Sequence, residues 1–242
     1  MAVPLVIAAL LGLGCRPVET PPAVSAERPV PAAPVAQSPT PDSAGTESPS
    51  PSTDASYADA VDASPRPMPA DLWQTWIQQV IEGQSDRIQA EQHVSAEQMQ
   101  ELQAAGARLR ELLLDGGVDM AGFSALASLP QLEHLRIRQT PVDDRFCRLV
   151  ADALPRLLIL NLPHGRITAA GIAELSRIES LVQLRLGGPQ LDDRAAAAIA
   201  GLPALQSLHL IGPGLSPAGL RALASAPELS SLYIDDCPLP DE

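Results

Sequence analysis

The 242-residue chain contains no lysine, and all sixteen of its basic residues are arginine. Aromatic residues are 2% of the sequence, so any core must be built from Leu, Ile, Val and Ala. Three cysteines, Cys15, Cys147 and Cys237, are too few and too scattered for a disulfide framework. A glycine-rich phosphate loop, a nucleophile elbow and a paired Cys-x-x-Cys are all missing, and with them the usual sequence signs of an enzyme. A basic surface is lacking too. The formal net charge is −13, and the acidic excess is spread over both halves, which excludes nucleic acid as an expected partner because phosphate binding relies on clustered cations.

What is present is strongly uneven. Residues 16 to 70 hold thirteen prolines, with Ala, Ser and Thr filling most of the rest. Such a segment has too few large apolar side chains to offset its ordering entropy and reads as a disordered linker. Fully extended, it could reach about 170 Å at ~3.1 Å per residue. The remaining length suits one folded domain.

From residue 109 the sequence is self-similar. Leu109, Leu132, Leu157, Leu181, Leu205 and Leu229 open successive units at steps of 23, 25, 24, 24 and 24 residues. Each unit begins L-x-x-L-x-L, as in Leu181, Leu184 and Leu186, and the last two leucines alternate as a strand with one buried face requires. Another aliphatic follows four or five residues later: Val118, Val142, Ile167, Leu191, Leu215 and Leu239. Apolar residues then recur at helical spacing, for example Ile172, Leu175 and Ile178. The unit is strand, turn, short helix. Upstream, Ile88, Val94, Met99 and Leu102 keep the same frame, so residues 85 to 108 form a degenerate first repeat. Before them, Leu72, Trp73, Trp76, Ile77, Val80 and Ile81 make a helical stripe ended by Gly83, over 71–84, suited to plug the open end of the stack.

These units resemble the leucine-rich repeat, in its variant of about 24 residues found in bacterial and cysteine-containing subfamilies. The resemblance implies an α/β fold. The fold it implies is a right-handed solenoid over 85–242, with short parallel strands on the concave face and short helices on the convex face. It also implies a binding module rather than an enzyme. The loop position that is often Asn or Cys in such repeats is here Gly117, Thr140, Gly165, Pro189, Pro213 and Cys237, so a regular asparagine ladder is not expected.

Residues 1 to 14 form an apolar run with small residues at its end, ahead of Cys15. The run matches a secretory signal and is too short to span a bilayer. With Gly14-Cys15 it resembles a bacterial lipoprotein signal, which implies lipidation at Cys15 and display at the cell envelope, on the outer membrane or a periplasm-facing one. The linker over 15–70 would then hold the domain off the surface. The alternative is an unanchored secreted or intracellular adaptor.

In this architecture the residues between the strand leucines point outward. The middle column is expected to contain Leu113, Arg136, Asn161, Arg185, His209 and Tyr233, flanked by His134 on one side and Arg138 on the other. Two strand spacings of ~4.8 Å put Arg136 and Arg185 about 10 Å apart. Arginine forks and a tyrosine are residue types that anchor interfaces, so this column is the candidate surface for a protein or peptide partner bearing carboxylates. No cofactor is expected, and His134 and His209, about 14 Å apart over three strands, cannot share a metal. The paired carboxylates Asp143-Asp144 and Asp192-Asp193 fall at helix starts, where aspartate caps free N–H groups; Thr168 and Ser216 share that slot. The final Pro238, Pro240, Asp241 and Glu242 would block edge pairing.

Overall fold

A computed structural model describes residues 66–237. Seven strands form one sheet in sequential order: β1 Arg87–Ala90, β2 Glu111–Leu114, β3 His134–Ile137, β4 Ile159–Leu162, β5 Gln183–Gly187, β6 Ser207–Ile211 and β7 Ser231–Asp235. Every neighbouring pair is parallel, and the register matches the repeat frame: Ile88 stands beside Leu112, then Leu135, Leu160, Leu184, Leu208 and Leu232. Parallel neighbours need a crossover, and each crossover here returns through a helix or helical turns on the far side of the core. The result is a leucine-rich-repeat solenoid.

The crossovers are α2 Ala96–Glu101 with a 3-10 turn Leu102–Ala105, a longer 3-10 segment Met120–Ser128, then α3 Asp144–Ala153, α4 Ala169–Leu175, α5 Asp193–Ala200 and α6 Pro217–Ala224. The second repeat thus departs from the expected α-helix. Its N-terminal Asp119 makes no capping bond to its own segment. The carboxylate turns instead to the preceding repeat, taking the Ala96 N–H at 3.2 Å and His93 Nε2 at 3.0 Å. Gly122 in the first turn weakens the α-helix further. A Cβ there would lie 2.7 Å from the Met99 side chain, so the tight packing requires glycine.

The core between sheet and helices is aliphatic and continuous. Leu135, Leu160, Leu184 and Leu208 are fully buried, as are Val150, Leu175 and Leu223 opposite them. Loop hydrogen bonding replaces the missing asparagine ladder piecemeal. Thr140 Oγ1 accepts from the Val118 N–H at 3.0 Å, and Gln190 Nε2 donates to the Gly165 carbonyl at 2.9 Å.

At the N-terminal end, α1 Ala70–Ile81 lies on the first repeat. Trp73 is fully buried and donates its indole N–H to the Gln98 carbonyl at 2.9 Å, while Trp76 packs edge-on against it with ring centroids 6.4 Å apart. Leu72 and Ile81 do not join the stripe; both are exposed, because the buried face is set by Trp73, Ile77 and Val80. At the other end Leu232 and Ile234 of β7 are only half-buried. Residues 238–242 lie outside the described part, as do Cys15, the apolar leader and the proline-rich linker up to residue 65. No helix among the described residues is long and apolar enough to cross a membrane.

Candidate functional site: the concave strand face

Strand alternation puts one outward residue between each pair of inward apolar ones, and the parallel register stacks these residues into a ladder. Its rungs are Gln89, Leu113, Arg136, Asn161, Arg185, His209 and Tyr233. His134 stands in the row beside it, next to Glu111 and Ile159, and Arg138 follows β3 on the opposite edge. The seven residues singled out from the sequence therefore share one surface, but they differ in what already engages them.

On the N-terminal side the ladder engages its neighbours, although Asp115 Oδ1 itself is buried without a hydrogen-bond partner. Arg87 donates to Gln89 Oε1 at 2.6 Å, Gln89 Nε2 donates to Asp115 Oδ2 at 3.2 Å, and Arg136 pairs with that same Asp115 carboxylate. Gln89 and Arg136 flank Leu113 and both reach to Asp115, which leaves Leu113 only 1% exposed although it points away from the core. On the C-terminal side His209 Nε2 meets Asp235 Oδ2 at 2.7 Å, and its ring lies 5.9 Å from that of Tyr233, which is 60% exposed.

The middle is different. Arg185 forms no ion pair among the described residues, and its Nε is buried without a hydrogen-bond partner. Arg136 Nε and Asn161 Oδ1, on the neighbouring rungs, are also buried and unpartnered. Each such group costs about 1–3 kcal/mol when left unmade, so a run of them on consecutive rungs is unusual in a surface shaped only by folding. Across the four strands from β3 to β6, none of the twelve outward positions carries a carboxylate: His134, Arg136, Arg138; Ile159, Asn161, Pro163; Gln183, Arg185, Gly187; Ser207, His209, Ile211.

One residue of this region escaped sequence reasoning. His164, in the turn just after β4, accepts the Gln139 N–H on its Nδ1 at 3.1 Å, so its neutral ring carries the proton on Nε2. Partial burial pushes its pKa below the usual histidine range, and Arg138 and Arg185 push it further the same way. The available signal was its place one residue beyond Pro163, an outward position. His134 is likewise held down, first by burial and then by Arg136 and Arg87, with Glu111 opposing. Among the described residues no group of three His, Cys, Asp or Glu side chains could hold a metal ion.

The paired aspartates of the convex side divide their work. Asp143 and Asp192 cap their own helices, accepting from Arg145 N and Arg194 N, each at 3.0 Å. Asp144 and Asp193 reach to the next repeat. Asp144 takes both the N–H and the hydroxyl of Thr168 at 2.8 and 2.7 Å, and Asp193 takes those of Ser216 at 2.9 and 2.5 Å. The Ser216 bonds hold the Asp193 carboxyl below the usual carboxylate range. Gly171 and Gly219 leave the room this requires: a Cβ at either would come within 2.4 Å of the carboxylate oxygen. Cys147 of α3 is fully buried; burial, reinforced by the charges of Asp144, Asp143 and Glu174, pushes its thiol pKa up, which makes it a packing residue.

No family model matches the sequence, and no curated protein matches it. Among solved structures, an internalin (inlF) from Listeria monocytogenes is 18% identical with a TM-score of 0.46, over 62% of this chain and 43% of the internalin. A pollen receptor kinase 3 is 18% identical with a TM-score of 0.35, over 60% of this chain and 68% of the other. The chain thus spans less than half the length of the internalin. At these values the likeness decides nothing about function, and the repeat architecture rests on the strand register described above.

Proposed function

We propose that this chain is a non-catalytic binding module whose concave strand face holds a protein or peptide partner, without a cofactor. The observation that carries the reading is a stretch of four strands whose twelve outward positions present no carboxylate and include Arg185, which has no ion pair among the described residues. An arginine fork left without a carboxylate of its own is the kind of group that a partner's acidic or polar side chain completes. His209 and Tyr233 extend the surface toward the C-terminal edge, and His134 and Arg138 border it.

The second part of the reading places the module at a bacterial cell envelope, lipid-anchored through Cys15 and held off the membrane by the proline-rich segment. It is supported by the small residues before Cys15 and by the thirteen prolines that follow. Two experiments test the two parts. Crosslinking in cells should capture a partner with the wild-type chain and lose it with the triple variant Arg136→Ala, Arg185→Ala, Tyr233→Ala; retention by a folded triple variant would refute the concave site. Metabolic labelling with a fatty acid should mark the wild type and not Cys15→Ala, and equal labelling or equal membrane fractionation would refute the anchor.

A further inference from the structure

The cations of the described region are not spread evenly over the ladder. Arg136 is held by Asp115, Arg87 lies 3.4 Å from Glu111, and His209 is held by Asp235. What stays least committed runs from the end of β3, through the turn after β4, to the middle of β5. Arg138 has only a 4.0 Å approach to Asp115, Arg185 has no carboxylate at all, and His164 stands between them in strand order. Arg138 and Arg185 are like charges on either side of the neutral His164, and a bound anion would lower the cost of holding them there.

We propose that Arg138, His164 and Arg185 form a subsite for the side-chain carboxylates of an acidic peptide segment crossing the strands. This rests on the reading of the concave face as a partner site and names its chemistry. Three strands at ~4.8 Å spread the donors over about 10 Å. A single phosphate or carboxylate cannot span that distance. Two acidic residues two or three positions apart on an extended chain can, at ~3.3–3.6 Å per residue. The planar arginine forks suit carboxylates in pairwise contact, and the neutral His164 Nε2–H adds a donor between them. Arg136 lies outside the subsite, because its Nη2 already pairs with Asp115 on the opposite side.

The test uses the full chain in detergent and a fluorescein-labelled hexaglutamate peptide at low ionic strength, with binding followed by anisotropy. The subsite predicts saturable binding, at least tenfold weaker in the double variant Arg138→Ala, Arg185→Ala and changed less than twofold in Arg148→Ala, which removes an arginine of the convex side. Labelled hexaglutamine should not bind, and inorganic phosphate should compete far less well than unlabelled hexaglutamate. Absence of hexaglutamate binding, equal binding by the double variant, or equal competition by phosphate would each overturn the assignment. These outcomes differ from failure of the broader reading. If hexaglutamate fails yet the crosslinked cellular partner is still lost in the triple variant, the concave face binds a partner of other chemistry.

Discussion

The convex and concave faces carry the same polar residue types and use them in opposite ways. On the convex side, charged groups join one repeat to the next: Arg148 donates to Glu174 at 2.8 Å, Arg177 pairs with Asp152, and Asp144 and Asp193 grip the following repeat's N-cap. A repeat cannot bury its apolar face alone, so polar contacts between neighbours add directly to stacking. On the concave side between β3 and β6, arginine and asparagine atoms are buried and left unpaired. The difference teaches where this chain has room to serve a partner: the middle strands, whose outward side chains are not needed to hold repeats together.

The sharpest way to break the comparison is on a single strand. Leu184 and Arg185 are adjacent on β5 and point to opposite sides. Leu184→Ala should lower unfolding free energy by about 2–5 kcal/mol, because a fully buried side chain leaves a cavity among rigid neighbours. Urea unfolding measures it, and a loss under 1 kcal/mol would mean that the repeats do not share a packed core. Next in size, Gly171→Ala forces a methyl against the Asp144 carboxylate and should cost about 1–3 kcal/mol. Asp144→Ala in the same chain should relieve part of that cost, and strictly additive effects would show that the two residues are not coupled.

Smaller effects sharpen the contrast between the two arginines. Arg136→Ala should cost about 1 kcal/mol, since it strips a partner from a mostly buried Asp115 that keeps its bond to Gln89. The pH dependence follows from the direction of each shift. Asp193 has a lowered pKa in the folded state, so its contribution is present above the unfolded value of about 4 and is lost as pH falls through the folded one. His134 and His164 are also lowered, but for a histidine this means that the unfolded chain binds protons more readily. Stability should therefore decline as pH drops below about 6.5. His164→Gln should flatten the upper part of that decline, and Asp193→Asn the acid limb, both read from urea midpoints across pH.

Much of the fold was legible because repetition turns weak signals into a frame. The 24-residue step placed Ile88 beside Leu112 and Val94 beside Val118 even where the leucines had degenerated, and the strand pairing has that register. The ladder residues were legible for the same reason, since alternation leaves no choice about which side chains face outward. What was not legible depends on side chains choosing among several partners. Nothing in the spacing says that Asp115 takes Arg136 and lets Arg185 go unpaired. Asp144, adjacent to a capping Asp143, reads as a cap from sequence; only the glycine at 171 gives a hint that a carboxylate from the previous repeat arrives there. The second repeat's 3-10 crossover was hidden for a similar reason, because the carboxylate that should have started its helix is spent on its neighbour.

The most direct test of the account is the stability of Arg185→Leu beside that of the wild type in urea. A residue kept for a partner, with a buried Nε that nothing in the described chain satisfies, contributes no more than about 0.5 kcal/mol to folding. The account predicts an unfolding midpoint equal to or above the wild type's, together with loss of hexaglutamate binding. A destabilisation beyond about 1.5 kcal/mol, on the scale of a lost buried hydrogen bond, would show that Arg185 belongs to the fold and would contradict the division between the two faces.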